Sequence, residues 1–104
     1  MNDQVKSEKK LRREMLAVLD AARGGERPVN GHWLAADVLG VDDEDVVRLG
    51  QDLVNLGMAT LTDTRTTKWQ SKSARFMELA ITAKGTRLLA GLEAVEPLIE
   101  DERI

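Results

Sequence analysis

The sequence is poor in the residues that most catalytic and metal-binding sites require. Its 104 residues include no cysteine, no tyrosine and one histidine, His32. The absence of cysteine excludes disulfides, thiolate metal ligands and cysteine nucleophiles, and one histidine cannot form a metal site alone. We expect His32 to cap a helix or face water, because no motif places an acid beside it.

Long hydrophobic runs are also missing. No apolar stretch approaches the length that a membrane-spanning helix needs, and residues 1–6 are not followed by the apolar core of a secretory signal. The sequence therefore predicts a cytoplasmic protein without a membrane segment.

Motifs of known catalytic chemistry are missing as well. The sequence has no glycine-rich phosphate loop, no His-x-x-x-His pair, no serine nucleophile elbow and no paired acids with a placed base. The acidic cluster over residues 42–45 lacks the spacing of a calcium-binding loop. We therefore expect a protein that is not an enzyme and that has no cofactor and no metal site.

The chain does contain enough apolar residues for one small domain. Its 42% hydrophobic residues can form one modest core, and its 32% charged residues are typical of an ordered domain with a solvated surface. The net charge of −3 is unevenly distributed: residues 28–63 carry −6 and residues 64–92 carry +5. We expect a folded domain over 8–96 between a flexible N-terminus, 1–7, and a flexible acidic C-terminus, 97–104.

The stretch from 42 to 61 predicts a helix, a glycine stop and a strand. Asp42 is the predicted N-cap, with its carboxylate accepting backbone N–H groups of the first turn. Gly57 follows the last apolar position, where a left-handed C-cap favours glycine. Residues 58–63 then alternate as in a strand. Apolar residues recur at three- and four-residue steps and predict the buried face of the helix: Val46, Leu49, Leu53 and Leu56.

Two helices are predicted before this unit. The first spans about 8–23 and ends at Gly24-Gly25, and its basic residues Lys9, Lys10, Arg12 and Arg13 lie largely off its apolar face. These cations favour a solvated surface, with contact to a DNA backbone as the alternative. After an extended segment around Pro28, a short helix follows Asn30 and ends at Gly40. Its predicted core residues are Trp33, Leu34 and Val38.

A second strand and a last helix are predicted after a polar loop. Residues 76–81 favour a strand, so that 58–63 and 76–81 flank about a dozen polar residues as in a hairpin with a long loop. Thr82 is the predicted N-cap of the last helix, which Pro97 disrupts. Its apolar stripe is Leu88, Leu89, Leu92 and Val95. Four apolar residues here either form a dimer seam or cover the edge of the core: Leu92, Val95, Leu98 and Ile99.

This order of elements resembles a winged-helix (winged helix-turn-helix) domain. Two stretches carry the resemblance: DLVNLGMA, residues 52–59, and LAITAKGTRLL, residues 79–89. The second is similar to the wing strand and following helix of bacterial regulators of the multiple-antibiotic-resistance and phenolic-acid repressor families. The resemblance covers about 8–92. It implies an α+β fold with a three-helix core, a small antiparallel β-hairpin wing and a C-terminal helix.

The resemblance also implies a function in DNA binding. Residues 43–56 would be a recognition helix in the major groove of duplex DNA, with Arg48, Gln51 and Asn55 contacting base edges. Residues 64–75 would be a basic wing on the backbone or minor groove. Its candidate contact residues are Arg65, Lys68, Trp69, Lys72 and Arg75. We expect a transcriptional regulator acting as a homodimer through its C-terminal helix.

Each of these assignments has an alternative. The wing cations could keep a solvated loop soluble, and Trp69 could stack on a base, bind a partner or fold back onto the domain. The acids of residues 43–45 with Asp52 outnumber Arg48 on the predicted recognition helix, and carboxylates oppose binding among phosphates. The alternative function is therefore a non-catalytic protein–protein interaction module, with this acidic helix docking a basic partner. A third class is an accessory subunit without its own active site.

Overall fold

Helices and short strands both occur in the computed structural model, which describes residues 7–22, 28–67 and 73–101. Over these residues it contains four helical segments and three short strands. The helices are α1 (Glu8–Ala22), α2 (Gly31–Trp33, continued by a π-helix over Leu34–Leu39), α3 (Asp43–Asn55) and α4 (Ala83–Leu89). The strands are β1 (Val29–Asn30), β2 (Ala59–Asp63) and β3 (Met77–Ile81), with a 3-10 turn over Ala74–Phe76. The predicted α+β class is confirmed.

The three strands form one small antiparallel sheet with the order β1-β3-β2. Leu79 of β3 lies between Leu61 of β2 and Val29 of β1. The predicted hairpin is therefore present, and its last pair is Asp63 with Met77. Residues 64–67 and 73–76 are the described ends of the hairpin loop, and a 2.7 Å hydrogen bond from the Thr64 N–H to the Phe76 carbonyl joins them.

The core lies where α1, α2 and α3 pack together and against the sheet. Its largest fully buried side chains come from all of these elements: Met15, Leu16, Leu19, Leu34, Val46, Leu49, Leu53, Met58 and Leu79. The predicted buried face of α3 is confirmed, since three of its four residues are fully buried and Leu56 packs against them. Burying this face is what fixes α3 on the domain, since nonlocal apolar contacts supply most helix stability.

The caps of α3 match the prediction in position and differ from it in chemistry. Asp42 is the N-cap residue, with extended backbone angles, but its side chain makes no capping hydrogen bond, so that detail of the prediction is wrong. At the other end, Gly57 adopts a left-handed φ of 76°. Its N–H donates to Val54 and the Met58 N–H donates to Leu53, which is the Schellman arrangement.

The winding of α2 differs from the prediction, and two residues predicted to be in the core are exposed. Asn30 is the N-cap as predicted, with its side-chain oxygen accepting from the Trp33 N–H at 3.0 Å. The helix then turns as a π-helix, in which residues five apart share a face. Leu34 and Leu39 therefore point inward. Trp33 and Val38 do not; they are 46% and 37% exposed, so the prediction that they are core residues is wrong.

The last helix is shorter than predicted. Thr82 caps α4 as expected, with its hydroxyl accepting from the Gly85 N–H. The helix ends at Leu89 because Gly91 takes a left-handed φ of 78° and a second Schellman arrangement closes the turn. Leu92 and Val95 lie beyond the helix and are exposed, so the predicted stripe does not continue to them.

The segment that follows α4 returns to α1. The sequence predicts a flexible tail over 97–104; in the structure Ile99 is 4% exposed and the Glu100 N–H donates to the Lys9 carbonyl. Arg12 is 7% exposed, with its Nη1 donating to the Leu98 carbonyl at 2.9 Å. The prediction that Arg12 lies on a solvated face is therefore wrong. Of the residues left undecided between dimer seam and core cover, Ile99 joins the core.

Candidate nucleic-acid interface

The predicted site residues fall on two neighbouring elements, the exposed face of α3 and the hairpin loop. Arg48, Gln51 and Asn55 occupy the exposed face of α3. Arg65 and Arg75 lie at the two ends of the hairpin loop and are exposed. The predicted contacts Lys68, Trp69 and Lys72 lie outside the described residues.

Arg48 is engaged by two carboxylates. Its Nη1 donates to Glu8 Oε1 of α1 at 2.8 Å, and its Nη2 donates to Asp45 Oδ1 at 3.1 Å. The hydrogen bond from Arg48 lowers the pKa of Glu8, and the hydrogen bond to Glu8 raises the pKa of Arg48. The guanidinium would have to leave at least one of these partners to contact a phosphate or a guanine.

Gln51 and Asn55 are paired with each other along one turn of α3. The Gln51 side-chain NH₂ donates to the Asn55 carbonyl oxygen at 3.1 Å. The Gln51 carbonyl oxygen and the Asn55 NH₂ take no part in this hydrogen bond. A side-chain amide carries the donor and the acceptor that complement N7 and N6–H₂ of adenine in the major groove.

Arg65 is held by the last residue of β2. Its Nε donates to both carboxylate oxygens of Asp63, at 3.0 and 2.9 Å, and its backbone N–H donates to Asp63 Oδ1 at 2.9 Å. The hydrogen bond to Asp63 raises the pKa of Arg65. This pairing holds the start of the hairpin loop in place. It also neutralises much of the charge with which Arg65 was predicted to bind phosphate.

Arg75 differs from the other two arginines. Its backbone carbonyl accepts from the Asn30 side-chain NH₂ at 3.2 Å, which ties the end of the hairpin loop to the start of α2. Among the described residues, no carboxylate forms a salt bridge with its guanidinium. Arg75 is therefore the described cation of the predicted site that is best placed to meet an anion.

The acids of α3 are used in different ways. Asp43 contacts His32 Nδ1 at 2.9 Å, Asp45 contacts Arg48, and Asp52 Oδ2 accepts from Arg12 at 3.0 and 3.1 Å. Asp42 and Glu44 form no salt bridge with a described residue. Sequence patterns alone could not identify the Arg12–Asp52 pair, because forty residues separate its members.

An apolar groove lies between α3 and the hairpin, and sequence reasoning missed it. Its empty volume is about 300 Å³, and its walls come from three separate stretches of the chain: Val47, Gln51, Leu61, Asp63, Ser73, Phe76 and Met77. No local pattern connects these residues, since α3, β2 and the end of the hairpin loop meet only in the folded domain.

Among residues 7–22, 28–67 and 73–101, no three His, Asp or Glu side chains lie close enough to hold a metal ion. No helix in that part of the chain has both the length and the apolar character needed to cross a bilayer. No family model matches this chain, and no curated protein or solved structure matches it at a significant level. Its function is therefore inferred from the arrangement of its own residues.

Proposed function

We propose that this chain is a small cytoplasmic winged-helix protein that binds duplex DNA and regulates transcription. The observation that carries the proposal is the order of elements, α1-β1-α2-α3-β2-β3-α4, with β3 between β1 and β2 in the sheet. A helix-turn-helix pair followed by an antiparallel hairpin is the arrangement that such domains use to place a helix and a loop against DNA.

In this proposal α3 enters the major groove and the hairpin loop meets the backbone or minor groove. Gln51 and Asn55 read base edges through their paired amides. Because Arg48 and Arg65 are already paired with carboxylates, most of the phosphate contact falls to Arg75 with Lys68 and Lys72. Affinity then decreases as salt rises, with a slope of log K against log salt set by the number of phosphates that these cations contact.

The test is a fluorescence-anisotropy titration with a mixed-sequence duplex at low and moderate salt. Replacing four hairpin-loop cations by alanine is expected to weaken binding and flatten its salt dependence: Arg65, Lys68, Lys72 and Arg75. The matched control removes four cations elsewhere: Lys9, Lys10, Lys84 and Arg87. Equal losses in both variants would show nonspecific charge attraction and contradict a role for the loop, while no binding at low salt would contradict the proposal itself.

The second candidate function is a protein–protein interaction module on the same fold. The ion pairs of α3 favour it, because Arg48 is neutralised while Asp42 and Glu44 carry charge that no described residue compensates. In this case the acidic helix docks a basic partner. The anisotropy titration separates the two candidates, since carboxylates on the contact face repel DNA and attract cationic peptides.

Dimer formation is part of the first proposal. The exposed apolar residues after α4 are the candidate contact: Leu92, Val95 and Leu98. A C2 interface would bring this patch against its own copy. Sedimentation equilibrium of the wild-type chain and of a Leu92→Glu/Val95→Glu variant tests this; a wild-type monomer at high concentration contradicts it.

A further inference from the structure

α2 exposes two large apolar side chains on the surface of the domain. Trp33 is 46% exposed and Val38 is 37% exposed, although the core of this small domain takes in leucines from the same helix. Tryptophan supplies more contact area on burial than almost any other side chain, and it is enriched among residues that dominate the binding energy of interfaces. The exposed ring is therefore available for contact with another molecule.

The π-helix brings these two side chains together. Five residues separate them, and in a regular α-helix that spacing turns side chains about 140° apart. Over Leu34–Leu39 the backbone bonds instead span five residues, as in the bond from the Gly40 N–H to the Ala35 carbonyl. A π-helix turns each residue by about 80°, so residues five apart lie about 50° apart around its axis. Trp33, just before the π-helix, and Val38 and Asp37 within it are all exposed; these three residues are called here the α2 surface.

The stretch of chain that carries the α2 surface is acidic. Residues 28–47 contain five acids and neither lysine nor arginine. Asp43 contacts His32, next to Trp33, so that the start of α3 lies close to the start of α2. Asp37, Asp42 and Glu44 form no salt bridge with any residue that the structure describes. Exposed apolar side chains on an acidic stretch are suited to a cationic partner.

We propose that the α2 surface docks a basic segment of a protein partner, in which an apolar side chain packs against Val38 and lysines or arginines meet the surrounding acids. A cation placed over the indole of Trp33 adds to the attraction. This contact does not rest on the proposed DNA binding, because it uses a different set of residues of opposite charge. A chain with both surfaces connects a DNA site to a second protein.

The probe is a fluorescein-labelled peptide of twelve residues with four lysines around a central Leu-Leu pair. Its binding to the full chain is followed by anisotropy at low salt. Saturable binding is expected, with Trp33→Ala weakening it about tenfold or more, as for an aromatic residue at the centre of an interface. The control Thr60→Ala truncates an exposed side chain on β2 and is expected to leave the affinity unchanged.

Charge complementarity is tested with two matched triple variants. Asp37→Asn/Asp42→Asn/Glu44→Gln removes the acids beside the α2 surface and keeps an asparagine N-cap on α3. Glu93→Gln/Glu96→Gln/Glu100→Gln makes the same charge change elsewhere. The first variant is expected to weaken peptide binding about tenfold and the second less than about twofold.

Three outcomes would overturn the proposal: no saturable binding up to about 1 mM peptide, equal losses in the two triple variants, or unchanged affinity in Trp33→Ala. The DNA titration on Trp33→Ala keeps the two functions apart, since its duplex affinity is expected to equal that of the wild type. Circular dichroism melting of each variant establishes that it is folded.

Discussion

The Arg12 guanidinium joins α1 to α3 by donating through Nε and Nη2 to one oxygen of Asp52, at 3.1 and 3.0 Å. The same guanidinium reaches the Leu98 carbonyl through Nη1, so three distant parts of the chain meet at one side chain. Arg12→Ala leaves a partly buried carboxylate and a carbonyl without their donor. The expected loss of unfolding free energy is about 1–3 kcal/mol.

Urea denaturation of four proteins measures this pair: the wild type, Arg12→Ala, Asp52→Asn and the double variant. Lys10→Ala is the control on the exposed side of α1, with an expected change within about 0.5 kcal/mol. A coupling energy below about 0.5 kcal/mol in the double-mutant cycle would mean that the pair contributes no more than independent sites do.

Leu53 tests the packing of α3. Its side chain is fully buried, so Leu53→Ala is expected to destabilise the domain by about 2–5 kcal/mol through lost burial and a residual cavity. Leu92→Ala is the matched control, because Leu92 is 74% exposed. Thermal and urea denaturation check both variants, and a loss below about 0.5 kcal/mol at Leu53 would contradict its place in the core.

Gly85 tests the contact of α4 with the residue before β2 and with the end of β3. A Cβ at this position would lie 2.5 Å from the Met58 carbonyl oxygen and 2.8 Å from Ile81 Cγ1. Gly85→Ala is therefore expected to cost about 1–3 kcal/mol as an overpacking change, despite the higher helix propensity of alanine. Lys84→Ala, at the exposed neighbouring position, is the control. A Gly85→Ala variant as stable as the wild type in urea would show that α4 does not approach β2 and β3 this closely.

Glu8 and Arg48 give a pH-dependent contribution to stability. The hydrogen bond from Arg48 holds the pKa of Glu8 below its ordinary value, so the folded state binds this proton less readily than the unfolded state. The resulting stabilisation is fully present above the unfolded pKa and decreases as pH falls through the folded pKa. Arg48→Ala is expected to raise the pKa of Glu8, measured by NMR titration of its carboxyl carbon. Arg65→Ala removes a cation elsewhere and is expected to leave that pKa unchanged; a Glu8 pKa that does not move in Arg48→Ala contradicts the pairing.

The same pair bears on DNA binding. Glu8→Gln replaces a charged partner of Arg48 with a neutral one and so weakens their interaction. Under the proposed function, this variant is expected to bind duplex DNA more tightly. If the released guanidinium meets a phosphate, the slope of log K against log salt steepens by about 0.9. Glu93→Gln makes the same charge change at the partner of Arg87 and is expected to leave the slope as in the wild type. Equal slopes in all three proteins would show that Arg48 does not contact phosphate.

Local sequence signals predicted the helices whose first and last residues are marked by capping residues. The predicted third helix, 43–56, agrees with the observed α3 (Asp43–Asn55), because an N-cap residue, an apolar period and Gly57 act within a few residues of one another. Asn30, Gly40 and Thr82 likewise have the predicted capping roles. The chain order that supports the proposed winged helix follows from these signals.

The exposure of the candidate-site residues was predicted better than the partners that their side chains contact. The α3 period alone places 48, 51 and 55 on the exposed side. Which partner each side chain meets depends on packing: Glu8 reaches Arg48 only because α1 lies against α3, and Asp63 captures Arg65 at the end of the hairpin. The groove between α3 and the hairpin has the same origin.

The sequence by itself determined α1, α3 and the two hairpin strands, the buried face of α3 and the absence of cysteine chemistry, since these depend on residue type and short-range spacing. Only the tertiary structure decided the winding of α2 and the burial of Arg12. The physical reason is that each of these minimises the energy of contacts between distant segments. Leu34 and Leu39 pack into the core, while Trp33 stays exposed. Arg12 is buried because Asp52 and the Leu98 carbonyl accept hydrogen bonds from its guanidinium there.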